Sequence, residues 1–122
     1  MLVVGVTQAL AQTDTYPSRP IRLICPLPPG GGADLVARIV AEKLAKQFNQ
    51  QVLVDNRAGG GTVIGADLAA KAAPDGYTLL MGTATTHAIN ASLVKKLPYD
   101  PIKDFAPIRS EEHTSELQSR FG

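Results

Sequence analysis

The hydrophobic positions along the chain change period several times, and each change predicts a new element. The run IRLIC at residues 21–25 is rich in β-forming residues and stops at the prolines of PLPP, which predicts a first strand over about residues 20–26. After three glycines the apolar spacing becomes helical, and Asp34 is expected to be the N-cap of that helix. The helix is expected to pack on a sheet through the apolar stripe Leu35, Val36, Ile39, Val40, Leu44 and Phe48.

The same alternation of strand and helix patterns continues along the chain. QVLVD at residues 51–55 predicts a second strand, NRAGGGT a loop, and residues 64–73 a helix rich in small side chains. A third strand is predicted over 78–82 and a third helix over 86–94. Strands that are nearly continuous in apolar residues and separated by helices indicate right-handed βαβ crossovers. The predicted fold class is therefore α/β, with a parallel sheet covered on both faces.

Composition and charge exclude several function classes. Twelve Lys and Arg residues against eleven Asp and Glu give a net charge of +1 with no basic cluster, so no nucleic-acid partner is expected. The single cysteine, Cys25, cannot form an internal disulfide and is expected to be a small buried hydrophobic residue. Cys and His residues nowhere have metal-ligand spacing, so neither a metal nor a cofactor is expected.

The two ends of the chain differ from the part between them. Residues 1–11, MLVVGVTQALA, are apolar and uncharged and end in a small-x-small pattern, which predicts the remainder of an export signal peptide. The alternative is an apolar N-terminal strand. From Arg109 the text RSEEHTSELQS matches the translation of a common sequencing-library adapter, so residues 109–122 are expected to be a non-native tail, the alternative being a solvated polar terminus.

Two glycine clusters carry the functional signal. Residues 30–32 and 59–61 each lie between the end of a strand and the start of a helix, on the sheet edge where open α/β folds bind ligands. Backbone N–H groups and the positive end of a helix dipole favour an anion there. The dinucleotide fingerprint fails because Leu35 stands where a third Gly or Ala is needed, and the P-loop fails because Ala66 follows Gly65 where Lys is needed. A small anion is therefore expected rather than a nucleotide phosphate.

The sequence gives little support to catalysis. Asp34, His87 and Thr86 could be drawn as a triad, but any α/β domain offers such residues on its loops, and no nucleophile stands in a strained elbow. No catalytic residue is expected, and His87 is expected to bond its own turn or the rim of the ligand site. The alternatives are a fragment of a nucleotide-using or hydrolytic α/β enzyme and a small interaction domain that functions by itself.

Four motifs between Tyr16 and Ile108 resemble the Bug family, the periplasmic solute receptors of tripartite tricarboxylate transporters. They are P-P-G-G-x-x-D at 28–34, D-N-R-x-G-x-G at 55–61, A-x-P-D-G-Y-T-L at 72–79 and L-P-Y-D-P at 97–101. The resemblance implies a secreted, monomeric, two-domain protein that closes like a clamshell on a small carboxylate and passes it to a membrane permease. Residues 12–108 would then be an incomplete N-terminal lobe that holds a carboxylate poorly by itself.

The resemblance also implies a set of binding residues, and the chain departs from the family pattern at three of its positions. Leu27 stands where Phe is usual, Gly32 and Ala33 replace a polar pair, and Val63 stands where Asn is common, which predicts a different subset of ligands. The ligand-binding residues implied are Leu27, Pro29, Gly30, Gly31, Ala33 and Asp34 around the first glycine cluster, Thr62, Val63, Ile64 and Gly65 around the second, and Thr83, Thr86 and His87 after the third strand.

Overall fold

The computed structural model describes residues 15–108, so the expectations for the leader and for the C-terminal tail lie outside the described residues. Strands and helices alternate in the predicted order. The strands are β1 (Ile21–Cys25), β2 (Val52–Asn56) and β3 (Thr78–Leu80). The helices are α1 (Gly32–Phe48), α2 (Val63–Ala70) and the one-turn helix α3 (Asn90–Leu93), which continues a π-helical turn (Thr85–Ile89).

The three strands form a parallel sheet in the order β2-β1-β3. Leu23 at the centre of β1 pairs with Val54 on one side and Leu79 on the other. The central strand is the most buried one, and its apolar side chains at 21, 23, 24 and 25 are at most 3% exposed. The predicted α/β class with a parallel sheet is confirmed.

The core lies between β1 and α1. Leu23 and Cys25 from the strand pack with Ala37 and Ala41 from the helix, and hydrophobic residues of β2 and β3 complete the cluster. Cys25 is fully buried, as expected for a small hydrophobic residue. Alternate β1 residues face the opposite side, where Gly65 of α2 lies against Pro26.

The apolar stripe predicted for α1 is largely wrong. Leu35 is 62% exposed and Ile39 47% exposed, and Val36 and Val40 are exposed as well, whereas the buried apolar residues of the helix are Ala37 and Ala41. Small side chains let a helix backbone approach a sheet closely, and an alanine adds little to an apolar pattern, so the stripe of large apolar residues does not mark the face that contacts the sheet. Of the predicted stripe, only Leu44 and Phe48 are half-buried.

The sheet is covered on both faces only in part. α2 contacts β1 and β3, and α1 packs against β2, but Leu53 on the other face of β2 is 55% exposed. The reason is topological, because the crossover from β2 must pass β1 to reach β3, which lies on the far side. An eight-residue helix placed there leaves the outer strand open.

Three predicted boundaries also shift. α2 ends at Ala70 rather than at residue 73, and β3 ends at Leu80, although the Met81 N–H still donates to the Ile24 carbonyl at 2.8 Å. The third helix begins as a wide turn in which the Asn90 N–H reaches back five residues to the Thr85 carbonyl. Element type was therefore predicted better than element ends, where single hydrogen bonds decide the boundary.

Candidate functional site: three turns at the carboxyl edge of the sheet

Three turns follow the carboxyl ends of the three strands. We define them as the first turn (residues 26–31), the second turn (57–62) and the third turn (81–84). Because β1 lies between β2 and β3 in a parallel sheet, these turns lie side by side along one edge. The structure thus brings both glycine clusters and the third turn, which contains Thr83, to the same edge.

The first turn needs glycine at one position. Gly30 has φ +94°, a left-handed conformation that side chains with a Cβ rarely adopt, whereas Gly31 has φ −85°. The helix then begins at Gly32 with Gly31 as the N-cap, which offers no side-chain bond. The prediction that Asp34 is the N-cap is therefore wrong, because Asp34 lies inside the first helical turn.

Asp34 instead folds the first turn back onto α1. Its side chain is buried, and its Oδ2 accepts hydrogen bonds from the Gly30 N–H and from Arg38 Nε, both at 3.0 Å, while Oδ1 accepts one from Asn56 Nδ2 at 3.0 Å. The Gly30 amide, then Asn56 and Arg38, lower the pKa of Asp34 from 3.8 to about 2. The ionised carboxylate therefore fixes the turn, and its contact with a ligand stays a prediction.

Asn56 was missed by the sequence reasoning and joins the end of β2 to the first turn. Its Nδ2 donates to the Leu27 carbonyl at 3.1 Å as well as to Asp34, and its Oδ1 accepts from Arg38 Nη2 at 3.3 Å. The available signal was its place at the carboxyl end of a strand, directly before a glycine loop. An amide can donate and accept at once, so Asn56 satisfies a carbonyl, a carboxylate and a guanidinium together.

The second turn is left-handed over four successive residues. Gly59, Gly60 and Gly61 have φ values of +126°, +60° and +63°, and Thr62 follows at +76°. A β-branched residue in this region is rare and strained. The turn ends as the N-cap of α2, where the Ala66 N–H donates to the Thr62 carbonyl at 3.2 Å.

Several backbone amides at this edge find no hydrogen-bond acceptor among residues 15–108. They are the N–H groups of the residues at the N-terminal ends of α1 and α2, for which this part of the chain supplies no acceptor. The first residues of a helix leave such groups unpaired, and together they carry the positive end of its dipole. The arrangement can bind an anion at two neighbouring helix ends. The open N–H groups include those of Gly31, Gly32, Ala33 and Asp34 at α1 and those of Ile64 and Gly65 at α2.

The third turn is closed by threonine. Thr86 Oγ1 accepts from the Thr83 N–H and donates to the Thr83 carbonyl, both at 2.8 Å, and Thr86 is fully buried. His87 Nδ1 lies 2.8 Å from the same hydroxyl oxygen. The imidazole ring packs edge-on against the Phe105 ring, with 5.2 Å between the ring centroids. The Thr86 hydroxyl is thus used by the turn itself, and its predicted contact with a ligand is not tested by the geometry.

The implied binding residues differ in exposure. Pro29, Gly30, Gly31 and Ile64 are exposed at the edge, and Asp34, Thr62, Gly65 and Thr86 are buried. The buried members hold the turns, since they pack against or bond to other parts of the protein. The remaining five are half-buried: Leu27, Ala33, Val63, Thr83 and His87.

The residues considered for a catalytic triad do not form one. Asp34 bonds to Gly30, Arg38 and Asn56, whereas His87 bonds to Thr86, and no hydrogen bond joins the two in the described part of the chain. Over residues 15–108, no three His, Cys, Asp or Glu side chains gather where a metal could bind. In this same range, a membrane-spanning helix is not found.

A separate shallow groove lies on the open face of β2. It runs along β1 and β2 and contains none of the glycine-turn residues. Its polar part is the ion pair between Arg22 and Asp55, and the Asp55 carboxylate also forms an ion pair with Arg57. Because these charges satisfy each other beside the exposed Leu53, the groove is an uncovered piece of sheet rather than a built anion site.

The environment of Asp34 predicts how stability depends on pH. Because its pKa is lowered in the folded state, ionised Asp34 stabilises the fold above pH 4, and this contribution is lost as the pH falls toward 2. Asp34→Asn should lower the melting temperature by several degrees at pH 7 and flatten its decline between pH 4 and pH 2. Thermal unfolding of both forms across this range measures the effect. Equal melting temperatures and equal slopes would contradict the role given to Asp34.

Comparison with known proteins identifies the family to which the chain is similar. Residues 36–116 match the family model described as the tripartite tricarboxylate transporter family receptor. Protein BugT of Bordetella pertussis is 44% identical over 115 residues, which cover 88% of this chain and 35% of BugT. The chain therefore spans about a third of the length of this curated relative, and the resemblance to the Bug family read from the four motifs is confirmed.

Two solved structures share both sequence and fold with the chain. MatC from Rhodopseudomonas palustris, solved with bound malate, is 39% identical with a TM-score of 0.73, over 76% of this chain and 32% of MatC. Another protein from R. palustris, solved with adipate, is 37% identical with a TM-score of 0.69, over 71% of this chain and 29% of that one. Since the family model covers well over half of its residues, the chain belongs to the receptor family of tripartite tricarboxylate transporters, a family of receptors rather than enzymes.

Proposed function

We propose that this chain forms one wall of an extracytoplasmic receptor that captures a small carboxylate for a tripartite tricarboxylate-type transporter. The observation that carries the proposal is the pair of helix starts with open backbone amides on one sheet edge. A carboxylate presents two oxygens that can accept several N–H bonds, and it gains from both helix dipoles. The relatives solved with malate and adipate support the same class of ligand.

The geometry suggests how the wall would grip its ligand. One carboxylate would accept hydrogen bonds from the amides at the start of α1 and of α2, while apolar side chains at the rim contact the carbon chain. Leu27 in the first turn and Val63 at the start of α2 are half-buried, and Ile64 is 55% exposed. The absence of a charged side chain among these three favours ligands whose middle part is apolar.

We further propose that residues 12–108 are an incomplete N-terminal lobe. A second lobe would close over the three turns, exclude water and add the contacts that set affinity. The leader would direct a monomeric receptor to the periplasm, where it meets the permease. The alternative of a nucleotide-using or hydrolytic enzyme gains nothing from the site, because Asp34 and His87 are bonded to different partners.

A ligand screen tests the proposed function. The full-length receptor that contains residues 15–108 should be stabilised by malate, adipate or a related mono-, di- or tricarboxylate, and should bind it in a 1:1 ratio by calorimetry. Phosphate and ATP serve as controls of other anion classes, and recovery of the unchanged ligand tests for turnover. Stabilisation by ATP alone, or conversion of the ligand, would contradict the receptor proposal.

A further inference from the structure

We infer that Asn90 is a positioning residue that holds the second turn in its strained conformation and connects it to the third turn. Asn90 is the first residue of α3 and is buried. Its Nδ2 lies 2.9 Å from the Gly61 carbonyl and 3.2 Å from Thr62 Oγ1. Its effect on ligand affinity rests on the proposed carboxylate site, whereas its effect on the turn does not.

The second turn needs such a support because its backbone is unfavourable. Four successive residues have positive φ, and the last of them, Thr62, is β-branched. Strained conformations of this kind persist only where the surroundings fix them. Among residues 15–108, Asn90 supplies the side-chain hydrogen bonds made to residues 59–62. Without them, the turn could relax and move the amides of Ile64 and Gly65.

A buried hydroxyl extends the support to the third turn. The Tyr99 hydroxyl donates to the Thr86 carbonyl at 2.6 Å and lies 3.5 Å from Asn90 Nδ2. Thr86 in turn closes the third turn through its own hydroxyl. Asn90 thus belongs to one polar network that spans two of the three turns, and this network fixes the start of α2 relative to residues 81–86.

Two asparagines in the chain give a matched comparison. Asn90→Ala should weaken carboxylate binding by the full-length receptor about tenfold, as should Asn90→Asp, which keeps the shape but replaces the donor. Asn49 ends α1 with φ +52° and is exposed, so Asn49→Ala should lower stability without changing the affinity. If both alanine variants change affinity equally, Asn90 acts only through overall stability and the inference is wrong.

A double-mutant cycle between Thr62 and Asn90 tests whether Asn90 opposes the backbone strain in the second turn. In a Thr62→Gly background the left-handed turn is no longer unfavourable, so adding Asn90→Ala should cost less than threefold in affinity. An undiminished tenfold loss in that background would overturn the inference. Calorimetry measures the carboxylate affinity of the wild type, of Thr62→Gly, of Asn90→Ala and of the double variant.

A readout without ligand separates this inference from the proposed function. In the ligand-free receptor, Asn90→Ala should shift or broaden the backbone amide signals of Gly61, Thr62 and Ala66 and speed hydrogen exchange at Ala66, whose N–H binds Thr62. Unchanged signals would overturn the role of Asn90 even if carboxylates bind. If the signals change but the receptor binds no carboxylate, the role of Asn90 in holding the second turn is supported. In that case only the proposed function is contradicted.

Discussion

Replacing Gly65 with alanine is expected to destabilise the fold by about 1–3 kcal/mol, or more. A Cβ at this position would lie 2.8 Å from the Arg57 carbonyl oxygen and 2.9 Å from Pro26 Cα. Both neighbours are backbone atoms at the ends of strands, so no side chain can rotate away to make room. The start of α2 would have to move off the sheet edge.

Gly32→Ala is the matched control for this prediction. Gly32 is the first residue of α1, its φ is not positive, and a Cβ there meets nothing within 4 Å. Alanine is favoured over glycine in a helix, so this change should be neutral or stabilise by up to about 1 kcal/mol. Urea denaturation of both variants compares them, and equal stability changes would contradict the packing described for Gly65.

Gly30→Val should weaken carboxylate binding by about 1–3 kcal/mol, roughly five- to 150-fold. The cause is backbone conformation, because valine resists φ +94° while the space around the missing Cβ is open. Relaxation of Gly30 would break its N–H bond to Asp34 and turn the amides of α1 away from the ligand. Calorimetry with the carboxylate identified in the ligand screen measures the loss.

Gly31→Ala and His87→Ala are the controls for Gly30. Gly31 has ordinary backbone geometry, and its nearest neighbour to an added Cβ is the Pro28 carbonyl at 3.9 Å. Alanine there should change affinity little, and His87→Ala should have a smaller effect than Gly30→Val because the ring contacts its own turn and Phe105. A large loss in His87→Ala with normal binding by Gly30→Val would favour a catalytic reading of the site.

The order of elements could be predicted from the sequence because strands and helices here differ in local period. Ile21–Cys25 is apolar at nearly every position, which is the pattern of a central parallel strand, and proline and glycine mark its end. The glycine clusters were placed correctly between strands and helices for the same reason. Local chemistry sufficed for these features.

Features that depend on contacts distant in sequence could not be predicted. The face of α1 that meets the sheet is set by close approach at Ala37 and Ala41, which a pattern of large apolar residues does not reveal. Asn56 and Asn90 were missed because their partners lie about 29 residues away, at Leu27 and Gly61. The place of an asparagine at the end of a strand or in a helix does not tell which distant carbonyl its amide will bond to.

Chemical-shift mapping shows where on the receptor the carboxylate binds. Backbone amide signals of the isotope-labelled, full-length receptor should be recorded with and without saturating malate, or with the carboxylate that binds best in the screen. We expect the largest shifts at Gly31, Gly32, Ala33, Ile64 and Gly65, which are among the amides at the two helix starts that find no acceptor within residues 15–108. Shifts confined to the groove around Arg22, Leu53 and Asp55, with these five amides unchanged, would contradict the proposal that the two helix starts hold the carboxylate.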